Sequence, residues 1–549
     1  MFGETLHQTL DIAAAKSPDA VITFPTGSAS FTIAGLASSS VTMAVSLLDA
    51  GIAPTDRVGI LCPNEPAFFQ ALFALSRAGA VSCPLPLPVT LRDFEGYVAR
   101  LTRVIEVAGI RHLVVTDGFG NLIDALDDLL PDVTLLRIGT LAGGPGARDR
   151  LPEVGPEALA IVQFTSGSTA VPKGVRLTHA NVLACLDAIV TGVDMGRPDD
   201  VGAIWLPLYH DMGLFGSLSA MLIGMPVWVW SPVSFVKNPL RWLTEFSASG
   251  GTICPCPNFA YDHLVEAVSA EEAAGIDLRR WRIAFNGAEA IATDSVDAFC
   301  GRFATSGFRP EAMFAVYGLA EATLAVTFPP LGRLPVYDWV DAERLAGERL
   351  AVPVDRSAPR TRGIVGVGRP VLGMRVRIAD PTTGEVMPDR RVGEIQVRGA
   401  SVTSGYLADD AVVQPFTPDG WLRTGDLGYD AAGELFVTGR IKEMIVLRGA
   451  NYYPEDVESI VRELDGVYKR RCVAFADNTG GTETMVLAAE TRLDSPEDRC
   501  RLTTDILTRV SRAIGLAELD VHLLPPRSIP RTTSGKFQRL ATREMIRSS

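Results

Sequence analysis

Thr165-Ser-Gly-Ser-Thr-Ala-Val-Pro-Lys-Gly174 directly follows a buried apolar run, and its residue types are those of a phosphate cradle. Thr165, Ser166, Ser168 and Thr169 are small hydroxyl residues, and with Gly167 they let backbone N–H groups approach phosphate oxygens closely. Lys173 adds a point charge. A Walker-type loop is excluded, because Pro172 precedes the lysine and Gly174 follows it. Taken alone, the stretch also fits a plain polar loop between a strand and a helix. His210, among Leu208, Tyr209 and Met212, fits either a core histidine or a group beside a bound anion, with Asp211 capping or orienting it. Glu321 lies among apolar residues; a buried carboxylate needs a partner, and magnesium is one of several. Lys536, in Arg-Thr-Thr-Ser-Gly-Lys, reads by itself as an exposed surface lysine.

The elements that must position these groups follow from periodicity. Val58-Gly-Ile-Leu, His112-Leu-Val-Val and Leu159-Ala-Ile-Val read as buried strands separated by amphipathic stretches, which predicts α/β units with parallel sheets over the first ~330 residues. Val182, Leu186, Ile189, Val190 and Val193 form one face of a helix expected after the glycine-rich loop. Residues 334–362 are rich in charge and proline and read as an insertion or long surface excursion. Alternating Arg375-Val-Arg-Ile and Glu394-Ile-Gln-Val predict a β-rich subdomain over about 363–439. Pro454, followed by Glu455 and Asp456, marks a helix start within a small α+β unit at 440–549. The expected organisation is therefore a large domain, 1–439, and a small one, 440–549.

The chain has 549 residues, enough for several cores, with 47% hydrophobic and 21% charged residues, as in ordinary globular proteins. A net charge of −13 disfavours nucleic acid as a partner, so a nucleotide must be held by local loops and single cations. The eight cysteines are scattered, and Cys254 and Cys256 have one residue between them instead of the two to four of zinc ligands, so all are read as reduced thiols. The first dozen residues lack a basic, then apolar, secretory pattern, and a cytoplasmic location is expected. Met212 to Val236 carries no charge, but Pro226, Pro232 and three glycines break it up. A buried helix (Leu214 to Ile223) followed by a buried strand (Val227 to Trp230) is expected there, and no transmembrane segment.

Residues 165–174 resemble the phosphate loop of the adenylate-forming superfamily, which includes acyl-CoA synthetases, peptide-synthetase adenylation domains and luciferases. Further signatures follow in that superfamily's order. Asn286-Gly287-Ala288-Glu289 resembles its adenine-side segment. Tyr317-Gly318-Leu-Ala-Glu321 resembles the motif whose tyrosine stacks on adenine and whose glutamate helps hold Mg2+. Thr424-Gly-Asp426 is similar to the motif whose aspartate binds the ribose hydroxyls. Gly439-Arg440-Ile-Lys442 is similar to the next, with Arg440 on ribose and Lys442 at an interdomain hinge. Thr533-Ser-Gly-Lys-Phe-Gln-Arg539 resembles the loop carrying the adenylation lysine, here Lys536. The sequence departs from the pattern at Ala170, where many relatives have glycine, and at Ala320, where many have threonine.

Trp205 to Leu214, Pro257 to Tyr261, Trp281 to Glu289 and Tyr317 to Thr323 look most like fatty-acyl-AMP ligases. That resemblance implies ATP-dependent activation of a carboxylic acid to acyl-AMP, with release of pyrophosphate. Transfer to the phosphopantetheine thiol of an acyl-carrier protein would follow. It also implies that the 334–362 insertion restrains domain movement and disfavours free CoA. Catalytic roles fall to Lys536, His210 and Glu321. A CoA ligase, an enzyme of one half-reaction, and an inactive nucleotide-binding module stay open. Met225, Val227, Trp228, Val229 and Trp230, with Phe285, are candidates for an acyl tunnel, although ordinary sheet core explains them as well or better.

Overall fold

The structure, a computed structural model, describes residues 2–88, 94–141, 148–165, 173–407, 415–447, 450–477, 484–516, 518–531 and 537–547. Two seven-stranded sheets dominate the first ~330 residues. One runs Met313–Ala315, Ile283–Gly287, Ile253–Pro257, Gly202–Ile204, Val227–Val229, Val21–Phe24, Ala29–Thr32, all parallel except the last. The other runs Tyr406–Leu407, Lys173–Thr178, Leu159–Thr165, Val81–Pro84, Arg57–Leu61, His112–Val115, Thr134–Arg137, with the first two strands antiparallel to their neighbours. The expected α/β class is thus observed. Val58, Ile60, Leu113, Val114, Ile161 and Val162 are wholly buried, as strands covered on both faces require.

The loop after Leu159–Thr165 leads into an antiparallel strand, Lys173–Thr178, and not into a helix. The reason is legible in hindsight: Val175 and Leu177 are buried and Arg176 points out, a two-residue period masked by its shortness. The helix His179–Gly192 then starts at a reciprocal cap, in which Thr178 Oγ1 accepts from Asn181 N and Asn181 Oδ1 accepts from Thr178 N, both at 3.1 Å. Its predicted face is buried throughout.

Among the described residues no helix is long and apolar enough to cross a membrane. The uncharged stretch is divided into the helix Asp211–Met221, the strand Val227–Val229 and the helix Pro232–Lys237. The helix therefore starts three residues earlier than expected, because Asp211 Oδ1 accepts from Met212 N at 2.7 Å and favours the first turn.

Residues 334–362 are more ordered than an excursion. Strand Tyr337–Asp341 pairs antiparallel with Thr361–Val365, placing Val340 opposite Arg362, and helix Ala342–Glu348 sits between them. Asp341 caps that helix by accepting from Glu343 N and Arg344 N. A four-stranded antiparallel sheet follows, Met374–Ala379, Gly393–Gly399, Leu422–Ala431, Glu434–Arg440. Beyond residue 440, Ile445, Val457, Val461, Leu487 and Ile506 belong to a core of their own around the sheet Cys472–Asp477, Thr484–Glu490, Leu519–Leu524. Pro454 opens the helix Pro454–Val461 as the sequence predicts.

Candidate active site

The parallel strands Ile253–Pro257 and Ile283–Gly287 end side by side, and the residues after them face a cleft, the usual ligand position in open α/β sheets. At Gly287 a Cβ would lie 2.8 Å from Val316 Cγ2, so only glycine lets the two segments close up. Ala288 then takes φ 63°, a left-handed turn, and Glu289 Oε1 accepts from Phe259 N, at the start of the earlier helix Asn258–Ala267, at 2.5 Å. Ala288 and Glu289 line the cleft. Asn286 is wholly buried behind them, donating through Nδ2 to Asn258 Oδ1 at 3.3 Å.

Tyr317, Asp426 and Arg440 come together. Tyr317 Oη donates to Asp426 Oδ2 at 2.7 Å, and Arg440 Nε donates to Asp426 Oδ1 at 2.8 Å. The second contact is a direct consequence of register, since Asp426 and Arg440 are cross-strand partners in the antiparallel sheet. Asp426 N donates in turn to Thr424 Oγ1 at 3.1 Å. Burial, followed by the Asp426 carboxylate, pushes the Tyr317 hydroxyl well above the phenol range, so it remains a donor. The same carboxylate raises Arg440.

A second cluster lies around Glu321. Gly318 is obligatory, because a Cβ there would meet Leu324 O at 1.9 Å. The chain after Glu321 turns through Thr323 at φ 64°, ψ −57°, with Leu324 N donating to Ala322 O at 2.8 Å. This is the strained form of the γ-turn, held by Thr323 Oγ1 on Ser401 O at 2.8 Å. Glu321 Oε1 accepts from Tyr406 Oη at 2.6 Å, and Lys173 Nζ lies 5.1 Å from the centroid of the same ring. Pairing of Tyr406–Leu407 with Gly174 and Val175 fixes this arrangement. A lone hard carboxylate suits magnesium, which typically takes one or two carboxylates and draws its other ligands from substrate phosphates and water. Ala320 is buried and lines the cleft.

His210 is the N-cap residue of the helix Asp211–Met221 and lines the cleft, its ring 5.0 Å from that of Tyr209. Gln163, which the motifs did not single out, is 2% exposed, lines the cleft and donates to Tyr209 O at 2.6 Å. Its signal was a polar residue inside an otherwise apolar strand. Tyr406 was also missed, and nothing local distinguishes it. Lys442 is exposed and lines the cleft near Arg440. Ser166, Gly167, Ser168, Thr169, Ala170 and Lys536 lie outside the described residues, as does the side chain of Thr165. Of the tunnel candidates, Met225 and Phe285 line the cleft, whereas Val227, Val229 and Trp230 are buried sheet core and Trp228 stacks on Trp230 at 5.8 Å.

Across the cleft, Arg462, Lys469, Arg470 and Arg471 oppose Asp262, His263 and Glu266 on the helix Asn258–Ala267. Burial and then Asp262 push the Glu266 carboxyl up, and those lysine and arginine charges at 469–471 draw it back.

Residues 10–407 match the family of AMP-binding enzymes. The medium-chain-fatty-acid–[acyl-carrier-protein] ligase JamA of Moorena producens is 33% identical over 507 residues, covering 89% of this chain and 85% of its own. A structure from structural and functional studies of fatty acyl-adenylate ligases of E. coli and L. pneumophila superposes with a TM-score of 0.92 at 31% identity, covering 99% of this chain and 98% of that one. The L. pneumophila fatty acyl-adenylate ligase in complex with acyl adenylate and pyrophosphate superposes with a TM-score of 0.75 at 28% identity, covering 99% and 96%.

Proposed function

This chain belongs to the AMP-binding enzyme family, and on that premise we propose that it activates a fatty acid with ATP as acyl-AMP and passes the acyl group to a thiol. The observation that carries this reading is the placement of two polar clusters, Tyr317–Asp426–Arg440 and Lys173–Tyr406–Glu321, on one cleft that apolar side chains such as Met212, Phe285 and Phe328 also line. The first cluster offers a ring for adenine and a carboxylate for ribose hydroxyls. The second brings the Lys173 charge beside the Glu321 carboxylate, a place suited to phosphates and a metal ion.

In the first half-reaction a carboxylate oxygen attacks the α-phosphorus of ATP. The bond from that phosphorus to the bridging oxygen breaks, and pyrophosphate leaves. Two anions must be brought together, so the protein's work is alignment and charge screening. Backbone N–H groups of residues 165–174, Lys173 and Lys536 are the candidates for stabilising the pentavalent phosphate; losing one such donor commonly costs on the order of 10²–10³ in rate. Magnesium, held by Glu321 and phosphate oxygens, would supply charge neutralisation on the leaving pyrophosphate. His210 is assigned a place beside the acyl carboxylate.

In the second half-reaction a thiolate attacks the acyl carbon and AMP leaves. Residues 440–549 are proposed as a unit that rotates about Lys442 to clear the thiol's path. The preferred acceptor is phosphopantetheine on a carrier protein in the cytoplasm. What favours this over free CoA is the hairpin around 334–362, which contacts the C-terminal unit: Arg362 Nε lies 2.6 Å from Asp456 Oδ1, and Asn451 Nδ2 donates to Ala346 O at 2.8 Å. Single-turnover reactions with labelled ATP and a panel of acids, run with CoA and with a pantetheinylated carrier, test the reading. Acyl-AMP that accumulates with CoA and discharges onto the carrier is expected; rapid acyl-CoA formation would select the CoA ligase, and no pyrophosphate with any acid would select a nucleotide-binding module.

A further inference from the structure

We propose that Gln163 is a positioning residue that holds the carboxylate side of the cleft at a fixed distance from its phosphate side; this deepens the acyl-adenylate reading above and rests on it. Gln163 lies in strand Leu159–Thr165 of the second seven-stranded sheet, opposite Val175, and two residues further on Thr165 stands opposite Lys173. His210 lies between strand Gly202–Ile204 of the first sheet and helix Asp211–Met221. Gln163 Nε2 donates to Tyr209 O at 2.6 Å, and Gln163, Lys173, Tyr209 and His210 all line the cleft. One side chain therefore ties the strand that runs into residues 165–174 to the peptide that carries His210.

Packing alone does not call for this residue. Alternate residues of a strand, and their cross-strand partners, share a face. On the Gln163 face Ile161, Val175 and Leu177 are wholly buried, in one core with Ile204, Trp205, Leu206 and Leu208 of the first sheet's side. A carboxamide in such a wall gives up its water and recovers the one bond from Nε2, while Oε1 is buried with no partner among the described residues. A side chain chosen to fill the wall would be apolar. The rest of the segment is held independently: Asn64 Nδ2 donates to Leu206 O and Trp230 O, both at 2.9 Å, and Asn64 Oδ1 accepts from Leu208 N at 3.0 Å. Gln163 grips the next carbonyl, the last before His210.

The first half-reaction makes use of such a tie. The acid's carboxylate, placed beside His210, must meet the α-phosphorus placed beside residues 165–174 and Lys173, and these two sets of groups stand on different sheets. Attack needs the reacting atoms about 3–3.5 Å apart, and a displacement of about 1 Å costs on the order of 10² in rate. Without the Gln163 amide each half of the site still binds its own substrate, but the separation of the halves is no longer set. The loss therefore falls on the maximal rate and not on the binding of either substrate.

The experiment measures single-turnover acyl-AMP formation from labelled ATP and the straight-chain acids from butyric to palmitic, in the full-length wild type, Gln163→Met, His210→Ala and the double variant. Methionine keeps the length of the side chain and removes the donor. Gln163→Met is expected to lower the maximal rate roughly 10- to 100-fold, with half-saturating ATP and acid concentrations within about threefold of wild type. In the His210→Ala background the same change is expected to cost little more. If Gln163→Met does not fold, Gln163→Glu, of the same shape and without the amide donor, takes its place. An unchanged maximal rate, a loss carried by half-saturation alone, or a loss of the same factor in both backgrounds overturns the positioning role and leaves the acyl-adenylate reading intact. Where His210→Ala is too slow for the comparison, the split between maximal rate and half-saturation decides. Absence of pyrophosphate release from the wild type with every acid overturns that reading and the positioning role with it.

Discussion

Replacing Arg362 by alanine tests whether the hairpin restrains the C-terminal unit. Arg362 lies in strand Thr361–Val365, and its guanidinium makes three contacts with later parts of the chain. Nε pairs with Asp456 at 2.6 Å, Nη2 donates to Thr438 O at 2.8 Å, and the group lies 5.1 Å from the Tyr453 ring centroid. Both ionic side chains are largely buried, at 15% and 14% exposure. Removing one partner of a buried pair costs about 3–5 kcal/mol when the other charge is left stranded. Here the carboxylate has an escape. Burial, opposed by Arg362 and reinforced by Glu455, already pushes the Asp456 carboxyl up to about 7, so without the arginine it takes up a proton at neutral pH. What is lost is then the charged hydrogen bond and the cation–ring contact, about 2 kcal/mol together. That is roughly thirtyfold in the ratio of docked to released C-terminal unit. Preformed enzyme-bound acyl-AMP is mixed with CoA in a single turnover, and protease cleavage near the 440s reports release. Arg362→Ala is expected to raise both acyl-CoA formation and cleavage by about that factor at most, with adenylation unchanged. Asp456→Asn, which keeps the Thr438 contact, should give a smaller rise. A folded Arg362→Ala enzyme with unaltered cleavage and unaltered CoA transfer would refute the latch.

Asp426→Asn leaves Tyr317 and Arg440 facing an amide; since the Arg440 side chain is 62% exposed and can rehydrate, the penalty should sit at the low end for charged hydrogen bonds, about 1.5–3 kcal/mol. Because those bonds belong to the ligand-free fold, the loss should appear as a lowered thermal midpoint, with a rise in KM for ATP as the further effect of losing the carboxylate proposed for the ribose hydroxyls. Tyr406→Phe removes the donor to Glu321, and magnesium titration by calorimetry in the presence of a non-hydrolysable ATP analogue should show an altered affinity, while Lys173→Ala changes nucleotide binding more than metal binding. Burial, then Arg77, lowers His7 to about 4, and burial, then His7, lowers His179 to about 3, from 6.5. Both are neutral in the folded chain and protonate first in the unfolded one, so their contribution to stability is complete above 6.5 and declines as pH falls from 6.5 to about 4 for His7 and to about 3 for His179, by up to about 1.4 kcal/mol per pH unit each. The raised Asp456 and Glu266 act in the opposite sense, so the histidine contribution is read as a difference: the wild-type denaturant midpoint should fall relative to that of His179→Asn as pH drops from 7 to 5.

What the sequence disclosed and what it hid differ by the distance over which the information is carried. Buried strands such as Arg57–Leu61 and the helical face from Val182 to Val193 are written in neighbouring residues, and they appear where expected. The pairing of Asp426 with Arg440 spans 14 residues and follows from one antiparallel register, so two adjacent motifs could point to one site. Tyr406 meets Glu321 across 85 residues, and only because its strand pairs with Gly174 and Val175 far earlier in the chain; no local pattern encodes that. Arg362 is similar: in sequence it closes a charged, proline-rich stretch, and only the hairpin register opposite Val340 turns it inward to Asp456. The same holds for Gly216, which looks like a helix-weakening residue until the strands bearing Ile204 and Pro255 are packed against it; a Cβ there would already lie 3.5 Å from Ile204 Cδ1 and from Pro255 Cγ, so its missing side chain is what lets helix and strands approach. Residues that bind by what they contribute are visible as motifs, whereas residues that act by what they omit become visible only when the opposite wall is in place.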